Sequence, residues 1–205
     1  MTLLRWPLAA IFLVVFPFAK ATTVEQVQQT LASHPLVRAH FEQQRTIKGM
    51  PQTLNSSGEM VISRTSGLLW QQTTPFAMRL VLQQDRMLQQ MQDQPPQVMT
   101  AQSNPQMFQF NHLLTALFTA DRATLDNNFS LTFTPLEKDH WTLSLTPTTT
   151  PLDKLFSTIT LQGGQFIDQV TLLDKQGDAT RLVFSQQRST PTELTATEQA
   201  NFESH

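Results

Sequence analysis

The residue types that carry acid, base and nucleophilic chemistry show no catalytic spacing in this chain. There is no G-x-S-x-G nucleophile motif, no H-E-x-x-H zinc motif and no glycine-rich phosphate loop. The absence of cysteine excludes thiol catalysis and cysteine metal ligands. The five histidines are scattered, at positions 34, 40, 112, 140 and 205. We therefore expect no catalytic residue, no metal site and no cofactor.

Individual polar residues have simple structural interpretations. His40 falls on the polar face of a strand pattern and His112 on the polar side of a helix pattern, so we expect both to be solvated. Asp121 and Asp126 are typical of helix and turn positions. An acid–base pair formed by residues distant in sequence is not visible in such patterns. A hydrolase acting on envelope lipids therefore stays as the least favoured alternative.

Arg64 is a charged residue within an apolar pattern. It continues the alternation of Met60 and Ile62, which marks the apolar face of a strand. A guanidinium in that position must find hydrogen-bond acceptors or water. Two interpretations are open. In the first, the guanidinium of Arg64 binds carbonyl oxygens of a covering segment or a ligand head group. In the second, the strand ends at residues 65–67 and the Arg64 side chain reaches solvent.

Methionines are concentrated in the first half of the chain. Their flexible, polarizable side chains suit surfaces that repack around varied partners, although ordinary core filling explains any single one. The group comprises Met60, Met78, Met87, Met91, Met99 and Met107.

Two helices are predicted from apolar stripes and caps. Residues 23–33 begin with Thr23 and Gln26 as a capping box and end before Pro35. Residues 106–119 follow Asn104 and a first-turn proline. The second helix has an apolar arc wider than one-sided packing requires, as a helix covering an open barrel would need. Its apolar residues are Met107, Phe108, Phe110, Leu113, Leu114, Leu117 and Phe118.

Most of the remaining chain alternates between apolar and polar residues, which predicts short antiparallel strands. About five strands precede the second helix and about five follow it, with loop chemistry over residues 94–106. The polar tail 190–205 shows a weak helical pattern. The fold class is therefore mainly β (α+β), with an open or closed antiparallel barrel and helices against its mouth.

The first 21 residues have the features of a cleavable export signal. Arg5 precedes an apolar run over residues 7–18, and Ala19-Lys20-Ala21 resembles a cleavage site. The run is too short for a membrane span of about 20 residues. We expect a mature domain, residues 22–205, whose formal charge falls from -2 to -4 because two cations are lost. That acidity argues against a nucleic-acid partner.

Several segments resemble the LolA family of outer-membrane lipoprotein carriers. The similarity is centred on residues 58–70 (GEMVISRTSGLLW) and the later Pro75, and it continues through residues 141–147 and 164–184. Thr65 stands where the family usually has proline, and methionine, leucine and glutamine replace an aromatic cluster near residues 87–91. The chain is thus identified as a divergent paralogue.

The resemblance implies an unclosed antiparallel β-barrel with a helical lid, residues 106–119, over an apolar cavity. It implies that Arg64 tethers the lid. It also implies a monomeric periplasmic carrier in a Gram-negative bacterium, without enzymatic activity, which shields acyl chains of a lipidated protein or lipid. An inner-membrane transporter would load it and an outer-membrane acceptor would receive the cargo. The implied cavity and lid residues are Met60, Ile62, Trp70, Met78, Leu80, Met87, Phe108, Phe110, Leu113, Leu114 and Leu117.

The chief alternative is a sensor of the same fold that binds lipids or misfolded envelope proteins and signals to a protein partner. The outer-membrane receptor of the same pathway is itself a lipoprotein, so the missing cysteine favours the carrier over the receptor.

Overall fold

The computed structural model describes residues 22–103, 108, 116 and 121–203. The predicted export signal, residues 1–21, lies outside the described residues. The described helices are α1 (Val24–Ala32), α2 (Arg122–Asn128), α3 (Leu152–Leu155) and α4 (Ala196–Glu203), and none of them is long and apolar enough to cross a bilayer. The described strands are β1 (Leu36–Thr46), β2 (Leu54–Ser63), β3 (Gly67–Thr74), β4 (Met78–Leu82), β5 (Arg86–Met91), β6 (Gln97–Thr100), β7 (Phe129–Pro135), β8 (Trp141–Pro147), β9 (Phe156–Gly163), β10 (Ile167–Asp174) and β11 (Ala179–Arg188).

The strands form one antiparallel sheet that does not close. Their order is β6-β5-β4-β3-β2-β1-β11-β10-β9-β8-β7, so β1 and β11 pair at the centre while β6 and β7 lie at opposite edges. Each half is a meander of hairpins, which explains why alternation and turn residues were sufficient to predict an antiparallel barrel. That the barrel is unclosed was implied by the resemblance to the LolA family. The prediction of this fold class is confirmed.

The predicted loop over residues 94–106 is wrong in one part. Residues 97–100 form β6, which pairs with β5 and places Met99 opposite Met87. A four-residue strand contains too few alternations to be recognised by its pattern, and as an edge strand it pairs on only one side.

The inner face of the sheet carries the main core. Phe41, Leu145 and Ile159 are almost completely buried there, and Phe41 stacks on Trp70 with ring centroids 3.6 Å apart. Helix α1 lies on this face, because Val27 and Leu31 belong to the same buried cluster. Its predicted capping box is present. The apolar stripe of α1 therefore covers part of the inner face.

The outer face of β1–β5 is covered by the C-terminal segment, residues 189–203. Phe202 of α4 packs with Leu36, Val61 and Leu69. Arg38, which shares the polar strand face of His40 in the alternation pattern, is only 3% exposed. Its Nε and Nη2 donate to the Glu198 carboxylate at 2.6 and 2.7 Å, and the guanidinium also donates to the carbonyls of Pro191 and Glu193. A buried ion pair thus fastens this segment to the sheet.

The pKa of Glu198 follows from these contacts. Hydrogen bonds from Arg38 and then from the Thr195 backbone hold it at about 2, although burial acts in the opposite direction. A carboxyl whose folded pKa lies below its unfolded value stabilises the protein above the unfolded pKa of about 4.5. That stabilisation is lost as the pH falls from about 4.5 to about 2.

We expect Glu198→Gln to lower the free energy of unfolding at pH 7 by roughly 2–3 kcal/mol, because Arg38 would stay buried without its counter-charge. Urea unfolding followed at several pH values measures this. The wild type should lose stability between pH 4.5 and 2 more steeply than the variant. Glu193→Gln is the matched control, since only the backbone carbonyl of Glu193 contacts Arg38. Equal pH profiles for wild type and Glu198→Gln would contradict this account.

Candidate functional site

Two small apolar cavities flank α1 on the inner face of the sheet. The first is lined by residues that include Met60, Ile62 and Phe184, and the second by residues that include Leu143 and Leu161. Leu31 lines both cavities and so forms the wall between them. Each has a volume of about 30 Å³. A water molecule needs roughly 10–15 Å³, so each cavity is far too small for an acyl chain.

The two cavities would join if α1 shifted or if the Leu31 side chain between them were shortened. The buried contacts of α1 are made mainly by Val27 and Leu31, with Val24 half-buried. The helix has nine residues, a length that is unstable without tertiary packing. The position of α1 therefore depends on these few buried side chains and on the contacts at the two ends of the helix.

An arginine lies at each end of α1. Arg64, in the turn after β2, donates from Nη2 to the carbonyl oxygen of Ala32 at 2.7 Å. A cation is favourable at this C-terminal end because the last carbonyls and the helix dipole are negative. At the other end, Arg122 of α2 approaches Glu25 at 3.5 Å and also pairs with Asp126. Both arginines are exposed to solvent, so each contact holds α1 only weakly.

The two interpretations of Arg64 are combined in the structure. β2 ends at Ser63, so Arg64 reaches the surface, and its guanidinium nevertheless binds a carbonyl oxygen of a covering helix. That helix is α1. The predicted contact between Arg64 and the lid involves residues 106–119, most of which lie outside the described residues.

The predicted cavity residues separate into two groups. Met60 and Ile62 line the first cavity, near Trp70, which stacks on Phe41. Leu80 and Met87 instead join a second cluster, together with Leu82 and Phe108 of the predicted lid.

Met78 is half-buried at the start of β4, where its sulfur accepts from Gln89 at 3.8 Å. Phe108 and Ala116 are the described residues of the predicted lid, and both are helical and buried. The other predicted lid residues lie outside the described residues: Phe110, Leu113, Leu114 and Leu117.

A much larger cleft, of about 750 Å³, lies between α1 and the ends of the β7–β8 and β9–β10 hairpins. Most of the residues that line it have polar side chains, and no sequence motif indicated it. His34 stands beside it and packs against Phe166, with ring centroids 4.6 Å apart. Nearby, Gln187 donates to Asp168 at 3.0 Å. Burial raises the pKa of Asp168, while the neighbouring His140 and the bond from Gln187 act in the opposite direction.

The other titratable residues discussed from the sequence make local structural contacts where the structure describes them. Asp121 caps α2 through the Thr124 amide, and Asp126 pairs with Arg122, as expected for helix positions. His40 is half-buried and contacts Glu59 across β1 and β2. No group of three or more His, Asp or Glu residues within the described part of the chain could hold a metal ion.

Comparison with known proteins gives one extensive match. A family model described as outer membrane lipoprotein carrier protein LolA matches residues 32–197. A comparison with curated proteins finds no match.

The chain is also similar to several solved structures. One is a LolA superfamily protein from Nitrosomonas europaea, with 9% identity and a TM-score of 0.44, covering 82% of this chain and 94% of that chain. A domain from Vibrio parahaemolyticus assigned to outer membrane lipoprotein sorting has 12% identity and a TM-score of 0.44, covering 88% and 94%. The MucA/MucB complex of Pseudomonas aeruginosa gives 14% identity and a TM-score of 0.38, covering 80% of this chain and 56% of that chain.

Leu31→Ala should join the two cavities beside α1. We expect it to lower the free energy of unfolding by about 2–5 kcal/mol, the usual range for a buried leucine, and to increase binding of a small apolar fluorescent dye. Thermal unfolding and dye titration measure the two effects. Leu155→Ala is the control, because Leu155 is 48% exposed and its truncation should change stability by less than about 0.5 kcal/mol. Unchanged dye binding would mean that the cavities stay separate.

Proposed function

Because the chain belongs to the LolA family of outer membrane lipoprotein carriers, we propose that it carries acyl chains between the inner face of its open sheet and α1. The cargo is a lipidated protein or a free lipid. The carrier works in the periplasm of a Gram-negative bacterium, takes its cargo from an inner-membrane transporter and delivers it to an outer-membrane acceptor. It binds and releases without catalysing a reaction.

The observation that carries the proposal is the weakly held cover over an apolar face. The inner face is lined by buried aliphatic and aromatic side chains. Helix α1 covers part of it with a short apolar stripe and an exposed arginine contact at each end. Cavities of about 30 Å³ on both sides of Leu31 mark where the packing beneath α1 is incomplete. Displacement of α1 would open one continuous apolar space.

The energetics permit both loading and release. Burying a chain of about 15 methylenes contributes roughly 12 kcal/mol, at about 0.8 kcal/mol each. Moving α1 exposes Val27 and Leu31, which costs about 1.5–3 kcal/mol for each side chain, and breaks the contacts of Arg64 and Arg122. The net affinity is therefore the free energy gained by burying the acyl chain minus the cost of displacing α1. Stronger or weaker α1 contacts would change that cost.

The proposed periplasmic location of the protein depends on the export signal predicted for residues 1–21. Cleavage after Ala21 would leave Thr22 as the first residue of the mature protein. A carrier that crosses an aqueous compartment with lipid cargo needs a shielded apolar site, and α1 provides such a shield in this proposal.

The direct test is to purify the protein from a periplasmic extract and identify bound molecules by mass spectrometry. We expect acylated proteins or lipids in stoichiometric amounts. Recovery without any acyl ligand but with a stable protein partner would contradict the carrier role and favour the sensor alternative.

Arg64→Leu should make α1 easier to displace. Loss of a charge-assisted bond at an exposed helix end removes roughly 1 kcal/mol from the closed form. The apparent affinity for a fluorescent acyl probe should therefore rise about fivefold, and transfer to acceptor vesicles should slow. Probe titration and stopped-flow transfer measure these changes.

Two further variants serve as controls for Arg64. Arg64→Lys keeps the charge and should restore part of the wild-type behaviour. Arg181→Leu removes an arginine from β11, where its side chain bonds Gln169 far from α1, and should leave probe binding unchanged. Wild-type binding and transfer in Arg64→Leu would show that Arg64 does not hold the cover.

A further inference from the structure

We propose that the large cleft beside α1 binds the uncharged, hydrogen-bonding head of an acylated ligand. This inference rests on the proposed function, since the acyl chain of the same ligand would lie under α1. The head-group chemistry is that of hydroxyls or amides, as found in a glyceride or in the peptide next to a lipidated residue. A phosphate head is disfavoured.

The cleft adjoins both apolar cavities. Val27 and Trp141 line the cleft and the second cavity, and His34 lines the cleft and the first cavity. Only one layer of side chains therefore separates the polar space from the apolar space. A ligand with a polar head and an acyl chain could occupy both once α1 shifts.

One wall of the cleft is a polar stripe along α1. Its residues recur at the spacing of one helix face, opposite the apolar stripe: Thr22, Gln26, Gln29, Thr30 and Ser33. Surface helices usually carry charged residues on this side. The stripe of α1 contains amides and hydroxyls only, because the sole charged residue of the helix, Glu25, faces Arg122 instead.

Several of these polar groups are available to a ligand. The side chains of Gln29 and Thr30 make no hydrogen bond within the described part of the chain. The Gln26 side-chain oxygen caps the Thr23 amide at 3.0 Å, which leaves its amide hydrogens to donate. The Ser33 hydroxyl donates to the Thr30 carbonyl at 2.7 Å, so its oxygen can accept. The wall therefore offers both donors and acceptors, which hydroxyl and amide ligands can use.

The opposite wall disfavours anions. It consists of Asp139, Trp141, Gly164 and Gln165, and the described residues lining the cleft include no lysine or arginine. Phosphate is normally bound by arginine, lysine or several backbone amides. Here the acidic group is Asp139, whose carboxylate accepts from the Thr22 hydroxyl at 3.4 Å. A single exposed carboxylate attracts cations only weakly, so a neutral head fits best.

The experiment compares ligands that share a 16-carbon chain and differ only in the head. The probes are 1-palmitoylglycerol, N-palmitoyl glycinamide, palmitoyl glycerol phosphate and hexadecanol, each competing with a fluorescent acyl probe below its micelle concentration. We expect one or both of the first two to bind at least tenfold more tightly than the phosphate compound. A preference between glycerol and glycinamide would separate a glyceride from a lipidated peptide as the source of the head.

Charge variants locate the selectivity in the cleft. Gln29→Lys should increase the affinity for palmitoyl glycerol phosphate about fivefold, and Asp139→Asn should increase it by a smaller factor. Gln44→Lys is the control, because it adds the same charge at an exposed position of β1 on the other side of the sheet.

The outcomes separate the two proposals. If no 16-carbon probe binds, the acyl-carrier function fails and the head-group site fails with it. If all probes bind equally, and Gln29→Lys behaves like Gln44→Lys, the carrier function stands and the head-group site is overturned. The site is supported if the wild type prefers neutral heads and if Gln29→Lys, but not Gln44→Lys, shifts that preference toward the phosphate compound.

Discussion

The failure of the sheet to close is the constraint on which the other features depend. With β6 and β7 at opposite edges, the curved sheet keeps an apolar inner face that the strands cannot cover themselves. A single layer of secondary structure with an exposed apolar face is not stable, so another element must lie on it. Helix α1 lies on this face, and Phe108 and Ala116 are buried against it. The inner face is thus covered by elements separate from the sheet, and separate elements can move.

The two faces of the sheet are covered with different strength. On the outer face, the C-terminal segment is held by Phe202 and by the buried pair of Arg38 with Glu198, both largely removed from water. On the inner face, α1 is held at its ends by exposed arginine contacts. Breaking a buried pair costs several kcal/mol, whereas exposed pairs contribute about 0–1 kcal/mol. In the proposed function, the C-terminal segment would therefore be the fixed cover and α1 the displaceable one.

The features that depend on local pattern were predictable from the sequence. The capping box at Thr23 and the alternation along each meander need only neighbouring residues, and they led to α1 and to the antiparallel strands. The unclosed form of the barrel was implied by the resemblance to the LolA family. Alternation identifies which side chains share a face but not whether that face meets solvent or another segment. Arg38 shares its face with His40 and Glu42, so the pattern indicated a wet position, and its burial depends on residues more than 150 positions later. The polar cleft was missed for the same reason, since its walls come from α1 and from residues 139–165.

A polar cleft beside an apolar space would let a carrier distinguish between lipids. An acyl chain contributes affinity in proportion to its length but carries no information about the molecule to which it is attached. Discrimination between lipids must come from the head, where an unpaired polar group or an uncompensated charge lowers affinity sharply. In this chain the apolar stripe of α1 faces the sheet and its uncharged polar stripe faces the cleft. One short helix would therefore sense both parts of the ligand, and the head would influence how readily the cover over the chain opens.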